Sequence, residues 1–285
     1  MRIREKLLSE LLRNRQVQIR INELIANQEF KIPIHLALGH EAIAVSVASA
    51  MEDQDQILLN HRNIHYQIAL GASEEQLISE YRLTSNGLGG GRYGSMNLIA
   101  QQNRNIYTSN ILGNNLAVAL GVAHSSKIKS TKFVTWAVTG DGALEEGIFF
   151  ETLLSASSWS LPIVIIVENN QWSLGTKVIE RRKEISLREF CNSLHVEYLQ
   201  FEGNDVVKYF EMLEAARKIA ITGVPVLVEV HLETLGGYFV EEPRGKRYIN
   251  YHAGKAQISS KKIIVENQSD PIYVNTISSA ELAPS

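Results

Sequence analysis

With 285 residues, 45% of them hydrophobic and 21% charged, the chain can bury a substantial core, as one large domain with or without appendages. Its 28 Lys and Arg against 31 Asp and Glu leave a formal charge of -3 and no basic block suited to a nucleic-acid backbone. The single cysteine, Cys191, excludes an internal disulfide framework and a zinc site built from thiolates, and points to a reducing compartment.

The opening "MRIREKLLSELLRNRQ" mixes Arg, Lys and Glu among its leucines. A signal peptide has a continuous apolar core instead, and the acidic residues argue against a transit peptide. No run reaches membrane-spanning length, so the expected location is the cytoplasm, with no membrane partner.

Residues 1–30 read as an amphipathic helix, with Ile3, Leu7, Leu8, Leu11, Leu12, Ile19, Leu24 and Ile25 at helical intervals, free to pack on the domain or on another subunit. Residues 31–254 read as one α/β domain. "GHEAIAVSVASAM" (39–51) is a buried helix, "QILLN" (56–60) a short strand running into His61 and Arg62, and "SEEQLISEYRL" an exposed helix. A glycine-rich loop (86–97) precedes a small-residue helix at 113–129. "KFVTWAVTGDG" then runs from strand into turn, "ALEEGIFFETLLSASSW" is a helix starting at Ala143, and "LPIVIIVENN" is a strand. "SLREFCNSL", "VEYLQFEGND", "VVKYFEMLEAARKIA" and residues 226–234 continue the alternation as helix, strand, helix and strand. Continuous apolar strands alternating with helices predict a mostly parallel sheet with helices on both faces. Residues 255–285, polar and weakly periodic, read as a loose C-terminal tail.

Ligands of such sheets bind beyond the carboxyl ends of the strands. Asp141 sits at one such end, and Asn169 and Asn170 sit at the next. Neighbouring strands lie about 4.8 Å apart, so the two turns can offer a carboxylate and an amide oxygen to one hard cation such as Mg²⁺. Gly140 and Gly142 allow close approach of a phosphate, and a helix beginning at Ala143 would favour its charge. The residues alone thus predict a magnesium diphosphate site.

"GDG" (140–142) and "ENN" (168–170), one helix and one strand apart, resemble the signature of thiamine diphosphate enzymes. The wider context resembles the α subunits of 2-oxo acid dehydrogenase E1 components of the pyruvate, branched-chain and acetoin types. It runs through "IHLALGHEAIAV", "HR" (61–62), "GRYGSMN", "GNNLAVALGVA", "LPIVIIVENNQW" and "FEGNDV", from about residue 33 to 234. The resemblance implies a thiamine diphosphate-binding fold of the diphosphate-binding type, with Asp141, Asn170 and the carbonyl of Trp172 as Mg²⁺ ligands. It places His61, Arg62, Leu112, Gly140, Gly142 and Ala143 on the cofactor. It also implies a β-type E1 subunit in an α₂β₂ assembly, which supplies the aminopyrimidine side and an activating glutamate, a 2-oxo acid substrate, and an E2 carrying a lipoyl group as a possible acceptor.

Three departures stand out. The family's loop histidines fall at Tyr238, Phe239 and Val240; its histidine two places after the Arg is Ile64, with His65 one place late; and Asn97 replaces a histidine. His61, His65 and Tyr238 are the candidate catalytic residues, and Arg244, Arg247 or His252 could substitute for the lost histidines. A transketolase-like transfer to an aldehyde or sugar, and a partner subunit without catalysis, stay open as alternatives. "GGGRYG" (89–94) spells a dinucleotide loop but lacks the preceding strand. Glu145 and Glu146 read most simply as partners of a helix dipole, though one facing a cleft could do acid-base work, and Cys191 reads as a packed apolar residue.

Overall fold

Short runs of Val, Ile, Leu and Trp build the strands that carry the site. In the computed structural model, residues 3–100, 104–236, 239–241, 247–249, 257–258 and 262–280 are described. The strands are β1 (Gln56–Leu59), β2 (Asn105–Thr108), β3 (Thr135–Gly140), β4 (Ile163–Asn169), the hairpin pair β5 (Trp172–Ser173) and β6 (Thr176–Lys177), β7 (Glu197–Phe201) and β8 (Val226–His231). A ribbon of β9 (Phe239–Glu241) and β10 (Arg247–Ile249) follows. The main sheet has the order β2-β1-β3-β4-β8-β7, and every pairing in it is parallel.

The helices are α1 (Ile3–Ala26), α2 (Glu41–Ala50), α3 (Ile64–Ala69), α4 (Glu74–Tyr81), α5 (Asn114–Ile128), α6 (Gly147–Ser158), α7 (Val178–Arg181), α8 (Leu187–Ser193), α9 (Val206–Ala220) and α10 (Pro271–Ala280). Alternation along the strands divides the core. Trp136, Val138, Val164 and Ile166 pack with residues of α1, α2 and α9. Ala137, Ile163, Ile165 and Val167 pack with residues of α5, α6 and α8. All seven residues of β4 are buried, as expected of a central parallel strand covered on both faces. Among the described residues no helix is long and apolar enough to cross a membrane.

Several elements differ from expectation. β2 has no apolar run to announce it, since only Asn105 and Thr108 of its four residues are buried. α3 is a single short helix directly after Arg62. The helix expected from Ala143 begins at Gly147, after a 3-10 turn, Asp141–Glu145, and an extended Glu146. In a 3-10 turn residues i and i+3 eclipse, which turns Asp141 and Leu144 inward together, each 2% exposed.

The C-terminal segment is not loose where it is described. Val265, Asp270 and Ile272 are buried, and Arg15 of α1 ties the segment down. Its guanidinium bonds both oxygens of Glu41, at 2.6 and 3.1 Å, and both of Asp270, each at 3.1 Å.

The glycine-rich loop also has a definite job. Glu80 at the end of α4 accepts the backbone N–H groups of Gly89 and Gly91 at 2.8 Å, Tyr93 at 2.9 Å and Gly94 at 3.2 Å. Four of the loop's N–H donors are therefore engaged by an internal carboxylate. Gly91 sits at φ +72°, where a Cβ would meet the backbone of Leu83 at 2.5 Å. Glu80→Ala strips four donors of their acceptor, and a urea titration should show about 3 kcal/mol lost.

Candidate functional site

Register brings the strand ends level. Gly140 of β3 lies opposite Glu168 of β4, and Asn169 lies opposite His231 of β8. β1, on the other side of β3, ends at Leu59 and delivers Asn60, His61 and Arg62. From β1 the chain runs outward to β2 and returns to β3, so strand order reverses between β1 and β3. That is where ligands of open α/β sheets bind.

A cleft opens there. His61, Arg62, Leu112, Gly140, Asp141, Gly142, Ala143, Asn170 and Trp172 all line it, joined by His40, Asn60, Thr139, Glu168 and Ser173. His65 does not. It is fully buried beneath the cleft and faces Glu168, while Ile64 packs into the apolar core. Tyr238, Arg244 and His252 lie outside the described residues. Asn97 accepts the backbone N–H of Asn110 at 3.0 Å, which steadies the loop leading to Ile111 and Leu112.

Buried charged groups line the cleft, Arg62 and Asp141 among them, with Glu168 beside them. Arg62 is 5% exposed; its guanidinium donates to the carbonyl of Leu36, and among the described residues no carboxylate lies within ion-pair distance. Burial lowers its pKa to about 10, with Glu168 and Asp141 opposing, so it remains a cation at neutral pH. Asp141 is buried, and burial raises its pKa to about 6, with Arg181 pulling the other way. Arg181 of α7 reaches it at 3.0 Å and also pairs with Glu145. His61 is neutral, because burial and then Arg62 push its pKa down to about 4.

From the cleft wall at Glu168 and His40 a buried polar network runs inward, which the sequence did not reveal. Glu168 accepts from His65 Nε2 at 2.8 Å, from the Tyr66 hydroxyl at 3.0 Å and from His40 Nδ1 at 3.0 Å. Burial works against its ionisation, yet His65 and His40 outweigh burial and hold the carboxyl well below the usual range. The ligand-type atoms of His40, His65 and Glu168 lie within 4.8 Å of one another, and these hydrogen bonds account for their closeness. Sequence reasoning missed Glu168, His40, Thr234 and Arg181. The only local signals were a Gly-His-Glu step before an apolar helix and a glutamate opening the "ENN" stretch.

The sequence model of the dehydrogenase E1 component matches residues 11–239 of this chain. The chain belongs to the dehydrogenase E1 component family. Three relatives among curated proteins are α subunits. It is 26% identical over 267 residues to the pyruvate dehydrogenase E1 component subunit alpha of Rickettsia bellii, covering 92% of this chain and 82% of that one. It is 28% identical over 237 residues to the mitochondrial counterpart of Dictyostelium discoideum, covering 82% and 62%. The alpha subunit of the acetoin:2,6-dichlorophenolindophenol oxidoreductase of Bacillus subtilis is 29% identical over 231 residues, covering 81% and 69%. Such identities make this a divergent E1 α-type enzyme chain.

Proposed function

We propose that this E1 α-type chain holds the diphosphate and Mg²⁺ of thiamine diphosphate and, with a β-type partner in an α₂β₂ assembly, decarboxylates a 2-oxo acid and passes on the acyl unit. One observation carries the reading: Arg62 is a buried cation without a carboxylate partner among the described residues, and it lines the same cleft as buried Asp141. Such a charge costs free energy unless an anion meets it.

The residues suit the group. Asp141, the Asn170 amide and the Trp172 carbonyl form an all-oxygen donor set of the kind Mg²⁺ takes while sharing its shell with phosphate. The ion pair from Arg181 to Asp141 supports a demand for positive charge at that carboxylate. A Cβ on Gly142 would meet Ser173 Oγ at 2.7 Å, so a side chain there would displace Ser173 from this wall of the cleft. Arg62 would face the diphosphate, and Asp141, Asn170 and Trp172 would hold the metal. When bound, thiamine diphosphate supplies the electron sink for decarboxylation.

The partner reading has its own support. Ile111 and Leu112 at the cleft, Leu174 between β5 and β6, and Ile179 on α7 are 63%, 40%, 64% and 85% exposed. Apolar side chains gathered around a binding cleft fit a surface that another subunit covers. A lipoyl group on an E2 is the proposed acceptor.

Calorimetric titration of thiamine diphosphate into the assembled complex, with and without Mg²⁺, tests the proposal. Metal-dependent binding is expected, and Arg62→Met should weaken it about 100-fold, or about 2.7 kcal/mol. An assembled wild-type complex that takes up no cofactor would overturn it.

A further inference from the structure

Asn170 is not free to choose which end of its amide faces the cleft. Its Oδ1 accepts the backbone N–H of Trp172 at 3.0 Å, and its Nδ2 donates to Thr234 Oγ1 at 3.0 Å. Flipping the amide would set its NH₂ against the Trp172 N–H, donor against donor.

The protons beyond it can then be followed one at a time. An ionised carboxylate only accepts, so the ring proton of His40 sits on Nδ1, where Glu168 Oε2 takes it at 3.0 Å. In the neutral imidazole Nε2 then carries a lone pair and accepts the hydroxyl hydrogen of Thr234 at 2.8 Å, while Thr234 Oγ1 accepts from Asn170. Glu168 closes the chain as an acceptor, with His65 and Tyr66 donating to its other oxygen. Every hydrogen bond from the Asn170 amide points towards one buried negative charge. Thr234 and His40 are 3% and 1% exposed, so water does not compete for these bonds.

We propose that Thr234 and His40 are positioning residues for the metal, which orient the Asn170 amide and polarise it so that Oδ1 is the stronger ligand. Aligned hydrogen bonds polarise one another, and an amide whose NH₂ donates towards a carboxylate carries more negative charge on its oxygen. Groups that orient metal ligands in this way typically change affinity by about 10- to 100-fold. The inference rests on the metal reading above for Asn170. Its hydrogen-bond directions concern this chain alone.

Two measurements on the full chain assembled with its partner test it. Mg²⁺ titrated in the presence of thiamine diphosphate should bind about 10- to 100-fold more weakly to Thr234→Val, which is nearly isosteric but cannot accept or donate. Thr234→Ser, which keeps the hydroxyl, should bind as wild type. Nitrogen-15 NMR of the histidine rings should find His40 protonated on Nδ1 in wild type and in Thr234→Ser, and this needs no metal. Equal Mg²⁺ affinity in Thr234→Val and wild type, or a His40 proton on Nε2, would overturn the positioning role and leave the metal reading intact. A wild-type complex indifferent to Mg²⁺ would instead remove the metal reading, and this proposal with it. Should Thr234→Val fail to assemble, His40→Gln serves as the second variant, and unchanged Mg²⁺ affinity there overturns the proposal equally.

Discussion

Asp141→Ala is expected to abolish Mg²⁺-dependent binding of thiamine diphosphate and to reduce turnover of a 2-oxo acid by about a thousandfold or more. The magnitude follows from charge. A divalent cation in a partly buried site is held chiefly by its anionic ligand, and removing that ligand costs more than the 10- to 100-fold that follows loss of a group merely supporting one. Asp141 is the anionic member of the proposed ligand set, because Asn170 and the Trp172 carbonyl are neutral. The rival role is structural, since Asp141 also pairs with Arg181 at 3.0 Å. Arg181→Gln separates the two. A carboxylate needed only for that pair makes the two variants alike, whereas a metal ligand leaves Arg181→Gln responsive to Mg²⁺ and Asp141→Ala unresponsive. Unimpaired metal-dependent binding in Asp141→Ala would refute the assignment.

Arg15→Met should cost about 3 to 5 kcal/mol of stability, a large share of what a domain possesses. Glu41 and Asp270 are fully buried and share this one guanidinium. Glu41 also accepts from the Gly39 N–H at 2.8 Å, and Asp270 accepts from the N–H groups of Val265 and Ile272, both at 2.8 Å. Removing the cation leaves two carboxylates in the interior with no compensating charge, while methionine keeps most of the volume. The urea midpoint should fall, and hydrogen exchange should report α10 opening first, since Asp270 precedes it directly. A triple variant that adds Glu41→Gln and Asp270→Asn should recover part of the loss, because residues in one ion network do not act additively. A change under about 1 kcal/mol in Arg15→Met would show that the network contributes little.

The parallel sheet and the neighbourhood of the cleft were legible in the amino-acid order because both depend on local pattern. A strand buried on both faces must be apolar throughout, as "IVIIV" is, and a turn at a strand's carboxyl end must carry whatever polar residues the cleft uses, as "GDG" and "NN" do. The start of α6 was misjudged for a local reason too: a helical pattern does not separate a 3-10 turn from the helix after it. What was hidden depended on distance along the chain. His40 meets Glu168 across 128 residues and Thr234 across 194, and Arg15 meets Asp270 across 255. Buried polar groups must find partners, but periodicity carries no record of which distant partner each will find. That choice follows from how the layers pack: α2 sets His40 beside the end of β4, and the chain beyond β8 brings Thr234 to the same point. Local pattern therefore accounts for which residues surround the cleft, and folding in three dimensions accounts for the proton order beneath it.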